Sequence, residues 1–406
     1  MILSMRANQF KTLKIILAAV IVLSLIHLYS VFKDKAHLYQ IYADKLSNGK
    51  WRNLSQEQIQ NLSVLGRILY LDETPKPIIS RLVPYKILLW RFDGDMPVRH
   101  EPNRSNPLQG CALQNCVITN NDTEIATADL VVFHLHRTRS VKNLPNRTTT
   151  KQIWAFLSDE SPYNTFLYRT DNDPETYNNV FNWSMTYRIT SDIPVAYGRT
   201  VALKNKGPKM DLAEWNKSKK QDVLVAIMMS NCNEQRMKYT KGLSEHMRVD
   251  IYGGCGTLKC DGHYYTDCKN TSVYKFYLAF ENSMCEEYIT EKLWWSGYHK
   301  QAIPIVLGGS KLSYHQSLPP NSYINVEDFP IPKDLATYLL HLNSSLSELE
   351  KFFEWKRNFQ VINEHGYFES RSIHYCRICE ALNYNSKQTK IYRSLNDFIS
   401  VKNQCH

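Results

Sequence analysis

The 406-residue chain has no internal repeat and no low-complexity tract, which excludes solenoid, propeller and collagen-like architectures. Its thirteen histidines show no His-Glu-x-x-His or similar ligand spacing, so no local motif announces a metalloenzyme. Lys and Arg outnumber Asp and Glu to give a net charge of +10. The basic residues are nevertheless spread along the sequence without an aromatic-basic recognition motif, which argues against nucleic acid as the partner. A basic surface or an anionic ligand accounts for the charge equally well.

A long apolar run lies near the N-terminus. Residues 15–32 are largely apolar and uncharged, near the lower limit of the roughly 17–25 residues that span a bilayer as a helix. Arg6, Lys11 and Lys14 precede it, so the positive-inside rule leaves residues 1–14 cytosolic and everything beyond on the lumenal side, as a single-pass type II signal-anchor. A cleaved signal peptide is the rival reading, but no convincing small-x-small cleavage site lies near Ser30.

Two further features suit a lumenal compartment. Sequons occur at Asn53, Asn61, Asn103, Asn121, Asn146, Asn182, Asn216, Asn270 and Asn343. The ten cysteines are even in number and all follow the apolar run, as expected of disulfides. Cys376-x-x-Cys379 would suit zinc or redox chemistry elsewhere; beside the closely spaced Cys111 and Cys116 it reads as structural disulfide. Cys255, Cys260, Cys268 and Cys285 are further candidates.

Residues 33–81 are polar and weakly periodic, a stem. About 320 residues then remain, enough for two domains of ordinary size. Continuous apolar runs at 86–90, 128–133, 152–157, 222–228, 249–252, 275–280 and 303–307 read as parallel strands buried on both faces. Helical patterns at 234–246, 287–299, 334–342 and 346–362 alternate with them, which gives an α/β fold with crossover helices. The lysine-rich stretch 202–220, with Gly207-Pro208, is the natural boundary between two domains.

The most informative stretch is residues 274–295. The strand 275–280 runs into Glu281, Asn282 and Ser283 at its carboxyl edge, where open α/β sheets bind ligands. The helix expected to follow carries Tyr288 and Lys292 four residues apart, hence on one face, with Glu291 beside them. A cation and a phenol could then address one diphosphate while the carboxylate accepts from a ribose. Each residue alone has a plainer explanation as core, solvated face or capping box.

The complete string, Phe280-Glu281-Asn282-Ser283 followed by Tyr288-Ile289-Thr290-Glu291-Lys292, resembles the signature of the α1,3-fucosyltransferases. The block 181–198 resembles the family too, as does Glu160-Ser161-Pro162. Arg236 lies in the first turns of a helix that follows the strand 222–228, where free amide hydrogens and a guanidinium suit a phosphate.

The resemblance, over roughly 85–382, implies two facing Rossmann-like domains of the GT-B type, an acceptor-side domain at 82–205 and a GDP-fucose-binding domain at 206–382, with a C-terminal tail at 383–406. It implies GDP-fucose as donor, the 3-hydroxyl of N-acetylglucosamine on glycoprotein glycans as acceptor, and the Golgi membrane as location. It assigns the donor to Arg236, Asn282, Tyr288, Glu291 and Lys292, and the catalytic base to Glu160, with Asp159 the local rival. Trp183, Tyr187 and Arg188 become acceptor-side candidates, although core packing explains the aromatics as well. A divalent cation would be at most stimulatory.

Relatives bridge cysteines in comparable places, which implies that Cys111 and Cys116 pair with Cys376 and Cys379 in an order that spacing leaves open. The Cys-rich segment from Tyr252 to Cys260, with Cys268 and Cys285, is most similar to the invertebrate and plant enzymes acting on the N-glycan core. The sequence departs from many relatives at 294–304. Two rivals remain: a metal-dependent glycosyltransferase using Asp93 and Asp95, and a non-catalytic type II lectin-like protein that would have no use for a diphosphate cluster.

Overall fold

The computed structural model describes residues 51–78, 83–91, 100, 106–138, 140–166, 173–260, 262, 266–386 and 390–406. The chain divides into two compact units, residues 1–53 and 54–406, and the second holds everything that follows. The run 15–32 and the pair Asp93 and Asp95 lie outside the described residues, as does the Asn103 sequon. No helix among the described residues is long and apolar enough to cross a membrane.

Two all-parallel sheets organise the larger unit. The first contains β1 (Tyr85–Trp90), β2 (Cys116–Thr119), β3 (Leu130–His134), β4 (Ile153–Ser158), β5 (Trp183–Thr186) and β6 (Ile193–Pro194), in the order β2-β1-β3-β4-β5-β6. An antiparallel ribbon pairs β7 (Gly198–Ala202) with β13 (Phe359–Asn363). The second sheet contains β8 (Val225–Met228), β9 (Val249–Tyr252), β10 (Phe276–Phe280), β11 (Ile303–Leu307) and β12 (Ile324–Asn325), in the order β12-β11-β10-β8-β9. Strands β3, β4 and β10 are buried at every position, which is why their sequences are apolar runs apart from the terminal His134 and Ser158.

The core of the first sheet corrects the expected boundaries. Leu65 and Leu69, on the helix Val64–Leu71, pack with Ile87, Val132 and Leu157 on one face of the first sheet. Residues from 54 onward therefore belong to the folded body, and the stem expected at 33–81 ends earlier. Fully burying one such leucine stabilises by about 1.5–3 kcal/mol. The helix His374–Tyr384 covers the same face through Ile378 and Leu382, while Tyr392, Leu395 and Ile399 cover the other. Hence the segment that follows β13 belongs to the first half, not to the domain expected at 206–382, and residues 390–399 are core rather than tail. The second sheet is covered by Glu234–Ser244, Pro332–Asn343 and Leu346–Lys351, through Leu243, Leu335, Leu339 and Leu349.

Two expected helices also change. The helix expected at 346–362 stops at Lys351, and its last third is β13, because Phe359 to Asn363 pairs with Ala202 to Gly198. The helix expected at 287–299 begins only at Glu291, with Thr290 as N-cap, and continues as a π-helical turn from Trp294 to His299. Glu287 has φ of 59°, a left-handed conformation that no helix interior accepts.

All ten cysteines are paired. Cys111–Cys376 and Cys116–Cys379 close loops of 265 and 263 residues and pin the helix His374–Tyr384 to the first sheet. Chain entropy assigns such a closure about 5 kcal/mol, in a model-dependent way. Cys260–Cys268 is local, whereas Cys255 and Cys285 take partners outside the expected set, Cys232 and Cys405. Asn182 is corrected as a sequon. Its side chain is buried, accepts from the Trp154 amide at 2.9 Å and donates to the Lys390 carbonyl at 2.8 Å, so a glycan there would remove a core contact.

Candidate active site

The second sheet reverses its order of strand addition between β8 and β10, so the loops after those two strands diverge and leave a crevice at their carboxyl ends. The residues around this switch point come from two short stretches. After β8, Asn233 caps the helix Glu234–Ser244 by accepting from the Gln235 amide at 3.0 Å, and its Nδ2 lies 3.4 Å from the Asn282 carbonyl. Arg236 in the first turn is 2% exposed. Its Nη1 donates to the Phe280 carbonyl at 3.2 Å and Nη2 to the Asn231 carbonyl, while Nε has no partner among the described residues. Burial lowers the Arg236 pKa, opposed by the charge of Glu281.

After β10, Glu281 is 1% exposed and accepts from both the amide and the hydroxyl of Thr290 at 2.8 Å. Burial raises its pKa despite the nearby Lys292. Lys292 Nζ lies 3.3 Å from Glu281 and 3.1 Å from Glu291, and donates to Thr290 Oγ1 at 2.9 Å. Burial works against its charge, but the two carboxylates outweigh burial and hold the ammonium well above its ordinary pKa. Burial likewise pushes Glu291 up, and Lys292 overrides it, leaving Glu291 below its usual range. Glu281 was missed as a site residue, although its place in the string could have pointed to it: a carboxylate at the strand end is what fixes the lysine.

Tyr288 is not on a helix with Lys292. It sits in the loop before the helix, 2% exposed, and its hydroxyl donates to Glu160 Oε2 at 3.1 Å. Burial raises its pKa well above that of a free phenol, so it is a donor at neutral pH. This hydrogen bond joins the loop after β10 to the loop after β4. Ser161 Oγ donates to Ser283 Oγ at 2.7 Å, which fastens the same two loops. Asn282 accepts from Ser283 at 3.2 Å.

The first half supplies Glu160, partly exposed at the end of β4. Its neighbour Asp159 is 5% exposed and faces three imidazoles, those of His100, His365 and His374, at 3.5–4.0 Å. Asp159 therefore faces these imidazoles, whereas Glu160 faces Tyr288. Sequence reasoning missed the imidazoles because they come from three separate segments.

The acceptor-side candidates divide. Trp183 is 3% exposed inside the core below the first sheet and does not line the crevice. Tyr187 meets Tyr288 edge-on with centroids 5.2 Å apart. Arg188 donates to the Phe398 carbonyl at 3.1 Å and lies 3.8 Å from Glu287, whose Oε2 accepts from the Ile189 amide. Trp294, in the departing segment, packs against Gly198: a Cβ there would come within 2.6 Å of its indole.

Comparison with known proteins identifies the family. Residues 84–198 match the description "Fucosyltransferase, N-terminal" and residues 216–398 match "Glycosyltransferase family 10 (fucosyltransferase) C-term". The chain is 36% identical over 307 residues to a 3-galactosyl-N-acetylglucosaminide 4-alpha-L-fucosyltransferase of Bos taurus, covering 74% of this chain and 78% of that one. It is 31% identical over 343 residues to the glycoprotein 3-alpha-L-fucosyltransferase A of Drosophila melanogaster, covering 82% and 64%. An alpha-(1,3)-fucosyltransferase of Caenorhabditis elegans is 32% identical over 280 residues, covering 67% and 61%. A solved structure of an α1,3-fucosyltransferase with GDP-fucose aligns at a TM-score of 0.45 and 18% identity, over 81% of this chain and 99% of that one. These matches show a glycosyltransferase. The chain belongs to glycosyltransferase family 10, the fucosyltransferases.

Proposed function

We propose that this fucosyltransferase moves L-fucose from GDP-β-L-fucose to the 3-hydroxyl of N-acetylglucosamine on glycoprotein glycans, with inversion at the transferred carbon. The observation that carries the reading is the Tyr288–Glu160 hydrogen bond, which sets a partly exposed carboxylate of one half beside the cation cluster of the other. Glu160 accepts the acceptor hydroxyl proton as that oxygen bonds to the fucose carbon. The bond from that carbon to the diphosphate breaks, and the electrons leave with GDP. Arg236 and Lys292 stabilise the charge that develops there, more strongly in a partly dry crevice than in water.

Arg236 is held by backbone carbonyls and Lys292 by carboxylates, so both are positioned before the donor arrives. Asn282 and Glu291 supply acceptor and donor groups for the nucleotide, and Tyr288 orients the base. Residues 15–32 anchor the enzyme in the Golgi membrane with the catalytic body in the lumen. That placement is supported by the positive flank of the run, the sequons and five disulfides.

The test is to incubate residues 54–406 with GDP-fucose and a panel of core and antennary glycans, and to read mass and linkage. One added deoxyhexose in α1,3 linkage is the expected product. Transfer to another position, or from another nucleotide sugar in preference, would refute the reading.

A further inference from the structure

A second constellation lies beside the base, and the proposed transfer reaction does not use it. His100, Asp159, His365 and His374 are each 5% exposed or less, and one ligand atom from each lies within 4.8 Å of the others. The Nε2 atoms point at one carboxylate: His365 and His374 lie 3.5 and 3.6 Å from Asp159 Oδ1, and His100 lies 4.0 Å from Oδ2. These separations are too long for hydrogen bonds and too short for unrelated groups.

The surroundings are those of a ligand set. Ser372 Oγ lies 2.8 Å from His100 Nδ1 and 3.2 Å from His374 Nδ1. One hydroxyl oxygen can accept from both Nδ1–H groups, which leaves both Nε2 lone pairs facing inward, the tautomer that a metal needs. The His365 ring is stacked on Tyr197 at 3.8 Å, and the Tyr197 hydroxyl donates to the Asp159 carbonyl at 2.9 Å. His365 is 2% exposed, yet neither of its ring nitrogens has a hydrogen-bond partner among the described residues. A buried imidazole with no hydrogen bond is costly unless something else takes its lone pair.

We propose that His100, His365, His374 and Asp159 form a buried site for one zinc ion, structural in role. Three imidazoles and a carboxylate are zinc ligands, and a four-ligand set closed to solvent suits a tetrahedral structural ion rather than one that activates water. Calcium and magnesium require oxygen-rich sets. A tetrahedron with zinc–ligand bonds of about 2.0–2.1 Å has ligand atoms about 3.3 Å apart; the pairs at 3.5 and 3.6 Å are already near that spacing, and the wider ones, up to 4.8 Å, close on loading.

The ion ties the end of β4, the segment after β13 and the first turn of the helix His374–Tyr384 into one body. It thereby fixes Asp159, whose neighbour is Glu160, making Asp159 a positioning residue. The site stands whether or not the transfer reaction is assigned correctly.

The test is elemental analysis of the full-length chain produced in zinc-supplied medium. About one zinc per chain is expected, lost in His365→Ala and retained in the exposed control His246→Ala. Zinc below about 0.1 per chain in the unaltered protein would overturn the proposal, as would zinc retained in His365→Ala. Should that variant fail to fold, the unaltered chain, stripped with a chelator and titrated with Co²⁺, gives the answer. One equivalent should produce the intense visible absorption of a tetrahedral site and raise the melting temperature. No such band and no shift would overturn the site.

Discussion

The two halves of the body share one strand order, a parallel sheet that starts inside, steps once to one edge and then adds strands on the other side, yet they furnish their carboxyl ends in opposite ways. The second half concentrates cations: Arg236 and Lys292 stand at the switch point between β8 and β10, each held by oxygen atoms of its own half. The first half presents carboxylates, Glu160 toward Tyr288 and Asp159 toward three imidazoles. One topology thus serves two tasks. The cation-lined end suits an anionic leaving group, and the carboxylate end suits a hydroxyl that must lose a proton.

The largest effect should come from the first half. Glu160→Gln keeps the fold and loses the proton acceptor, for an expected fall in kcat of about 10²- to 10⁴-fold. Asp159→Asn should leave a steady-state profile of different kind, with a lower melting temperature. If Asp159→Asn abolishes turnover at unchanged stability while Glu160→Gln remains active, the two carboxylates have the reverse roles.

In the second half, the proposed roles require that Lys292→Ala and Arg236→Ala remove stabilisation of the departing diphosphate, so that kcat/KM falls by about 10²- to 10³-fold. Arg236→Lys should remain poor, because an ammonium cannot reach the Phe280 and Asn231 carbonyls and a phosphate with one planar fork. Near-normal turnover in either alanine variant, with intact folding, would remove the asymmetry between the halves.

A third experiment probes what holds the halves in register. Glu364 is 4% exposed and accepts from Arg199 at 2.7 and 2.8 Å and from Arg377 at 3.1 Å. Burial alone would raise its pKa, but the two guanidiniums outweigh burial and hold the carboxyl below its usual value. A depressed folded pKa contributes stability that is present above the ordinary carboxylate pKa of about 4.3 and is lost as pH falls through the depressed value. Glu364→Gln should cost about 3 kcal/mol at neutral pH by leaving buried arginine charge uncompensated, and should flatten the acid limb below about pH 4.3. An unchanged acid limb in thermal unfolding would show that another group sets it.

The smallest effect belongs to Tyr288→Phe, which removes a single hydrogen bond between the halves. A loss of about 3- to 10-fold in kcat is expected. Trp183→Phe, lying in the core, should change melting temperature without altering the acceptor KM.

The same asymmetry explains what the sequence disclosed. The cation-lined end is built from 230–236 and 280–292, two contiguous stretches in which strand, turn and side chain are neighbours in the chain, so a linear pattern carries them. The core strands were equally legible, because full burial leaves a run of apolar residues. The carboxylate end is assembled from 100, 159–160, 197 and 365–374, and no local spacing announces such a site. Residues 359–363 read as helix because a five-residue ribbon strand whose burial does not alternate carries no period-2 signal; only pairing with β7 makes it β. Tyr288 was placed on a helix because i to i+4 spacing to Lys292 is equally consistent with a loop that enters the helix at Glu291.

The division of labour is tested most directly by the affinity for GDP, measured by titration calorimetry, of Glu160→Gln and Arg236→Ala beside the unaltered enzyme. Binding indistinguishable from the unaltered enzyme in Glu160→Gln, and weakened by about tenfold or more in Arg236→Ala, is the expected pair of results. Normal GDP binding in Arg236→Ala together with loss of binding in Glu160→Gln would contradict the account.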